Sequence, residues 1–125
     1  MIKMSLRQAI AAYQALDEFP RVPDLKISYE LGYITDKLEQ RVRLYEKERI
    51  KLLKANSVVG EDGVRKVDPA KADGVTEELE KMLDEIEITI ERKPIKLDAI
   101  IGSDPTKQPQ VQPALLKKLQ GIIIE

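Results

Sequence analysis

At 125 residues, with 42% hydrophobic and 4% aromatic side chains, the chain has the size and composition of one folded domain, 1–125, with an aliphatic core. Its net charge of −1 gives no global pull toward nucleic acid or an anionic membrane. It contains no cysteine and no histidine, which removes disulfides, thiolate nucleophiles, thiolate metal sites and the Ser-His-Asp arrangement, together with the commonest general base.

Ser5 opens the first helix. Gln8 follows at the spacing of a capping box, with Met4 placed as a hydrophobic staple. Leu6, Ala9, Ile10, Tyr13 and Leu16 then recur on one helical face. Pro20 and Pro23 make the next linker stiff and end the helix before it.

Asp24 is a good N-cap for a second helix, which the pattern predicts over 24–56. A rod of that length spans roughly 45–50 Å, too long for a domain of this size to bury along its whole length, so it needs a partner from this chain or from another copy. Its apolar seam runs through Leu31, Ile34, Leu38, Val42 and Tyr45, in the steps of four and three that helix packing uses. Two assignments of this seam stay open, an intermolecular contact and the monomer's own core. Gly32 either admits a close backbone or is simply tolerated.

Residues 57–73 break the helical pattern. Val58 and Val59, then Gly60-Glu61-Asp62-Gly63, then Val64 and Val67 predict a hairpin with an Asp-Gly turn, either docked or mobile. Thr76 is expected to cap a third helix from Glu77 to about Asp84. Ile86, Ile88 and Ile90 alternate with Glu87, Thr89 and Glu91, which is strand spacing with one buried face. Ile95 and Leu97 continue as a second extended piece after Pro94. A Pro/Gln loop is expected at 103–113. Pro113 then starts a short helix that Gly121 ends. The apolar tail Ile122-Ile123-Ile124 is either a strand or the docked end of that helix, and as a strand its expected partner is Ile86–Ile90 in one sheet. The fold class is thus α+β, mainly α: a long antiparallel helical hairpin built on one helix of about 30 residues, with a small β-sheet from the C-terminal half.

Charge sorts along the chain. Between Lys37 and Lys54 seven basic residues (Lys37, Arg41, Arg43, Lys47, Arg49, Lys51, Lys54) face three acidic ones, and between Gly74 and Glu91 seven acidic residues face one basic. The simplest account is that the second and third helices lie antiparallel and neutralise each other. The functional alternative makes Lys37, Arg41, Arg43, Lys47 and Lys51 a basic stripe for a nucleic acid or an acidic protein, although no stacking platform or groove-reading motif accompanies it. Glu77, Glu80 and Asp84 share a helix face that is better explained as solvated than as a metal site. Tyr29 and Tyr33 are helical neighbours expected to pack on the first helix. No activated nucleophile or base is visible, so the chain is expected not to be an enzyme and to need no cofactor.

The order of parts resembles a family of short proteins with no assigned activity that tailed phages and prophages encode. The resemblance rests on the helix ending near Ala15-Leu16, on Leu44-Tyr45-Glu46-Lys47-Glu48-Arg49-Ile50-Lys51-Leu52-Leu53, on the acidic Asp-Gly loop and the Glu/Leu-rich third helix, and on Pro94-Ile95-Lys96-Leu97-Asp98 before a leucine-rich C-terminal helix. It implies a phage source and a place in the bacterial cytoplasm during infection or lysogeny. The expected function is that of a non-enzymatic accessory protein acting through protein–protein contacts: an assembly factor, a virion component or a binder of a host factor. It is expected to form a dimer or small ring and to meet an unidentified protein. The alternative is a binder of a small charged ligand such as a nucleotide, with Arg41, Arg43 and Lys47 lining a pocket between subunits; nucleic acid is a further, less favoured partner. No leader and no stretch near the roughly 18 apolar residues of a membrane span appear, so no membrane contact is expected.

Overall fold

The computed structural model describes residues 1–101 and 112–124. The fold is α+β and mainly α. It begins with a strand that the sequence pattern did not reveal, β1 (Ile2–Ser5), which pairs antiparallel with β4 (Glu87–Ile90), Ile2 opposite Ile90 and Met4 opposite Ile88. Met4 is therefore a buried strand residue. Alternation over three residues is too short to be distinguished from the lead-in to a helix.

Helix α1 (Leu6–Asp17) starts where expected. The Ser5 hydroxyl accepts from the Gln8 amide, and the Gln8 side chain accepts from the Ser5 amide at 3.0 Å. Its buried line is Leu6, Ala9, Ala12 and Ala15, with Ile10, Tyr13 and Leu16 on the flanks. The small alanines let α1 pack closely on α2 (Leu25–Ala55), a 31-residue helix capped by Asp24, whose carboxylate accepts from the amides of Lys26 and Ile27. The linker between them holds Val22 buried, so the two helices form the hairpin-like part of the fold.

Strands β2 (Ser57–Val59) and β3 (Arg65–Val67) form the expected hairpin. Gly63 takes φ +77°, the left-handed conformation that a glycine adopts without a steric cost, and the Asp62 carboxylate accepts from the Val64 amide. The hairpin stands exposed beyond the end of α2, with Val58, Val59 and Val64 open to solvent.

Helix α3 (Ala72–Glu85) begins earlier than Thr76. Gly74 did not stop it, and the Thr76 hydroxyl bonds back to the Ala72 carbonyl inside the helix instead of capping it. Strand β5 (Ile95–Lys96) is shorter than expected, because Leu97 already belongs to α4 (Leu97–Ile101). Pro113 opens α5 (Pro113–Lys118), and Gly121 at φ +88° turns the chain into β6 (Ile123–Ile124). The tail does not pair with Ile86–Ile90: β6 runs parallel to β5, and β4 has β1 as its neighbour instead. The Ile95 amide also donates to the Ile122 carbonyl at 2.8 Å, which ties the tail to the segment after Pro94. Most of the expected Pro/Gln loop at 103–113 lies outside the described residues.

One contiguous core joins both ends of the chain. It contains Ile2 and Met4 of β1, the α1 alanines, Ile34 and Leu38 of α2, Ile88 and Ile90 of β4, and Leu115, Leu119, Ile122 and Ile123 from the C-terminal part. Among the described residues no helix is long and apolar enough to cross a membrane.

Candidate functional site

The apolar seam of α2 resolves into the chain's own core over most of its length. Ile34 and Leu38 are fully buried, Leu31 and Tyr45 nearly so, and Val42 is half-buried at the margin. Side chains enclosed within one chain are not available to a second copy, so a contact surface has to lie beside this seam. Burial also raises the Tyr45 phenol above its ordinary pKa, because the phenolate would lose solvation there.

The basic stripe divides in two. Arg43, Lys47 and Lys51 follow one another at intervals of four on the solvent face of α2. Arg43 pairs with Glu39 and Lys51 with Glu48, within the same helix. Lys37 and Arg41 point the other way, toward β4. The expected pocket of Arg41, Arg43 and Lys47 is therefore not brought together within the chain: Arg43 is nearly opposite Arg41 around the helix.

The acidic residues of α3 also find a different partner from the one that charge sorting suggests. Arg7 of α1 donates to Asp84 at 2.9 Å and to Glu80, and both carboxylates, Asp84 first, hold its guanidinium more firmly in the charged form. Among the described residues no ion pair joins α3 to the basic stripe of α2. Because α3 packs more against α1 than against α2, its charged face reaches Arg7 first.

What the structure does assemble is a groove along α2. Its first part, about 280 Å³, lies between Tyr33, Lys37, Gln40 and Arg41 of α2 and residues Ile88 to Glu91 of β4. Its second part, about 220 Å³, is lined by Leu44, Tyr45 and Glu48 of α2, by Met82 and Ile86 at the end of α3, and by Leu6. Arg41 and Ile88 line both parts, so the two adjoin along α2. One end is cationic and aromatic. The Arg92 guanidinium stacks on the Tyr33 ring at 4.1 Å and the Lys37 ammonium lies 5.4 Å from the same ring. Tyr33 thus carries cations on its ring while it packs against the core cluster, and Tyr29 is exposed. Arg92 Nε is buried and sits 3.6 Å from Glu30, beyond hydrogen-bond reach. The other end is apolar, with Leu44 52% and Ile86 40% exposed.

Part of this site is legible in the sequence. Lys37 and Arg41 share a face at a spacing of four, whereas Arg43 does not, and helical geometry alone separates them. The β4 side of the groove and the Arg92–Tyr33 stack carried no sequence signal, since they depend on which elements become neighbours. No protein-family model matches the chain, and no curated protein and no solved structure is detectably similar to it.

Proposed function

We propose that this chain is a non-enzymatic accessory protein, of phage or prophage origin, that acts in the bacterial cytoplasm by protein–protein contact, through self-association or by seating a partner on its helical scaffold. The observation that carries this reading is the α2 groove, which is open, apolar at Leu44, Met82 and Ile86 and cationic at Lys37 and Arg41. Exposed apolar side chains beside placed charges are the composition of a contact surface. Ile50 of α2 and the valines of the β2–β3 hairpin are further exposed apolar side chains outside it. The phage origin rests on the order of helices and motifs along the sequence.

Light scattering on a sizing column, with the ratio of absorbance at 260 and 280 nm read from the same peak, tests the reading. A multimer with no excess at 260 nm supports it. A clean monomer removes self-association and leaves contact with a different protein. A second reading, capture of a small charged ligand such as a nucleotide, draws on the convergence of Tyr33, Lys37, Gln40 and Arg41 on one groove. Excess absorbance at 260 nm would put that reading first, and a steep loss of affinity with salt would extend it to nucleic acid.

A further inference from the structure

Strand β4 has β1 on one side, and among the described residues no strand pairs with its other edge. The direction of its backbone groups follows from the ladder. The Leu6 amide donates to the Ile86 carbonyl at 2.9 Å, and Leu6 falls opposite Ile86 when the register of Ile2 with Ile90 is continued. In an antiparallel pair, hydrogen-bonded and non-hydrogen-bonded positions alternate. Ile88 and Ile90 therefore direct their amides and carbonyls toward β1, and Glu87, Thr89 and Glu91 direct theirs outward along the free edge. That edge lines the groove opposite Tyr33, Lys37, Gln40 and Arg41.

Resting on the reading of the chain as a contact protein, we infer that the groove takes an extended acidic peptide segment of a partner, which adds as a third strand to the outer edge of β4. The lengths agree. From Tyr33 to Glu48 the helix runs about 22 Å, which an extended segment of about seven residues covers at roughly 3.3 Å per residue. Alternate side chains of such a strand point toward α2, where Lys37 and Arg41 favour carboxylates and where Leu44, Met82 and Ile86 favour one apolar side chain at the far end. The intervening side chains lie beside Glu87, Thr89 and Glu91 and are polar or basic.

A second copy of this chain does not fit the same edge. Antiparallel pairing of two β4 edges has a two-fold axis perpendicular to the sheet, so both α2 helices would cover the same face. Lys37 and Arg41 of one copy would then confront Lys37 and Arg41 of the other, which sets four cations on one face of the joined sheet. In the register centred on Thr89, Glu87 would also oppose the other copy's Glu91, and like charges directly opposite one another destabilise a sheet. An acidic partner strand removes the first conflict and need not contain the second.

The probe is a fluorescein-labelled peptide, Thr-Glu-Lys-Glu-Thr-Leu-Thr, which running antiparallel to β4 places its two Glu toward Lys37 and Arg41 and its Leu toward Ile86. Binding is read by anisotropy, and amide exchange of the protein by NMR. The expected result is saturable binding, with exchange slowed at Thr89 and Glu91. A twin peptide, N-methylated at the amides that would donate to β4, should bind at least about tenfold more weakly through the loss of backbone hydrogen bonds. Lys37→Glu combined with Arg41→Glu, two exposed changes whose fold is checked by circular dichroism, should weaken binding by a comparable factor. Absence of binding to the folded parent overturns the inference, as does binding that leaves Thr89 exchange unchanged or is indifferent to N-methylation. A multimer by light scattering together with an unprotected Thr89 would overturn the strand addition alone. Peptide-free protein carrying excess 260 nm absorbance would instead count against the contact reading itself.

Discussion

Leu38 offers the sharpest test of where the long helix is buried. Its side chain has no exposed surface and sits in the middle of α2, in the core cluster that also contains the α1 alanines and Ile88 and Ile90 of β4. Leu38→Ala removes three heavy atoms from a site enclosed by several elements, and such truncations cost about 2–5 kcal/mol, with cavity formation adding to the lost transfer energy. Rigid neighbours on every side prevent collapse, so about 3 kcal/mol is the working value. At about 2.1 cal/mol/K of unfolding entropy per residue, a chain of this length should lose roughly 11 °C in melting temperature. Val42→Ala, at the half-buried margin, should cost about 1 kcal/mol, and Leu44→Ala, on the open groove wall, within about 0.5 kcal/mol of nothing. Differential scanning fluorimetry or calorimetry at several protein concentrations measures the series. A shift of less than about 3 °C for Leu38→Ala, or a shift that disappears as concentration rises, would refute the placement of Leu38 in the core of a single chain. Leu38→Asp, which buries an unpaired carboxylate, should not fold at all, and a folded Leu38→Asp protein of unchanged mass would be equally damaging.

Other expectations follow from single sites. Gly32 lies in the interior of α2, and a Cβ placed there would meet nothing within 4 Å; Gly32→Ala should therefore raise stability by about 0.5–1 kcal/mol in urea titration, and a loss would show that the glycine serves a close approach after all. Gly63→Ala should strain the hairpin turn by about 1 kcal/mol and speed amide exchange in β2 and β3, leaving the melting of the core nearly unchanged because the hairpin is exposed. The raised pKa of Tyr45 means that the unfolded chain loses its phenol proton first as pH rises, so the unfolded state binds fewer protons above about pH 10 and stability must fall there. Tyr45→Phe should flatten that alkaline loss in melting curves taken from pH 8 to 11, and absorbance at 295 nm should show one of the four tyrosines titrating late. Arg7→Gln should lower the melting temperature modestly at low salt and hardly at all in 1 M NaCl, since Arg7, Glu80 and Asp84 are all solvent-exposed.

Elements whose boundaries are written in local chemistry could be read from the sequence by itself. Asp24 and Asn56 bracket the long helix because a carboxylate can accept the orphan amides of its first turn and because the hydrophobic steps of three and four stop where Val58 begins. The Ser5–Gln8 capping box, the Asp62-Gly63 turn, the isoleucine alternation of β4 and the helix start at Pro113 are of the same kind, each fixed by residues within a few positions of one another, although that helix stops at Lys118, ahead of Gly121. The tertiary structure decided everything that depends on sequence-distant neighbours. Ile2 to Ser5 became a strand only because β4 offered it an edge, and the C-terminal isoleucines paired with Ile95 and Lys96 instead of with the other edge of β4. Arg7, and not the lysines and arginines of α2, received the carboxylates of α3, since packing set which charged faces meet. The α2 seam showed that the helix needed cover but not whose atoms would supply it: hydrophobic burial is non-directional, and periodicity records how much surface must leave water without naming the surface that replaces it.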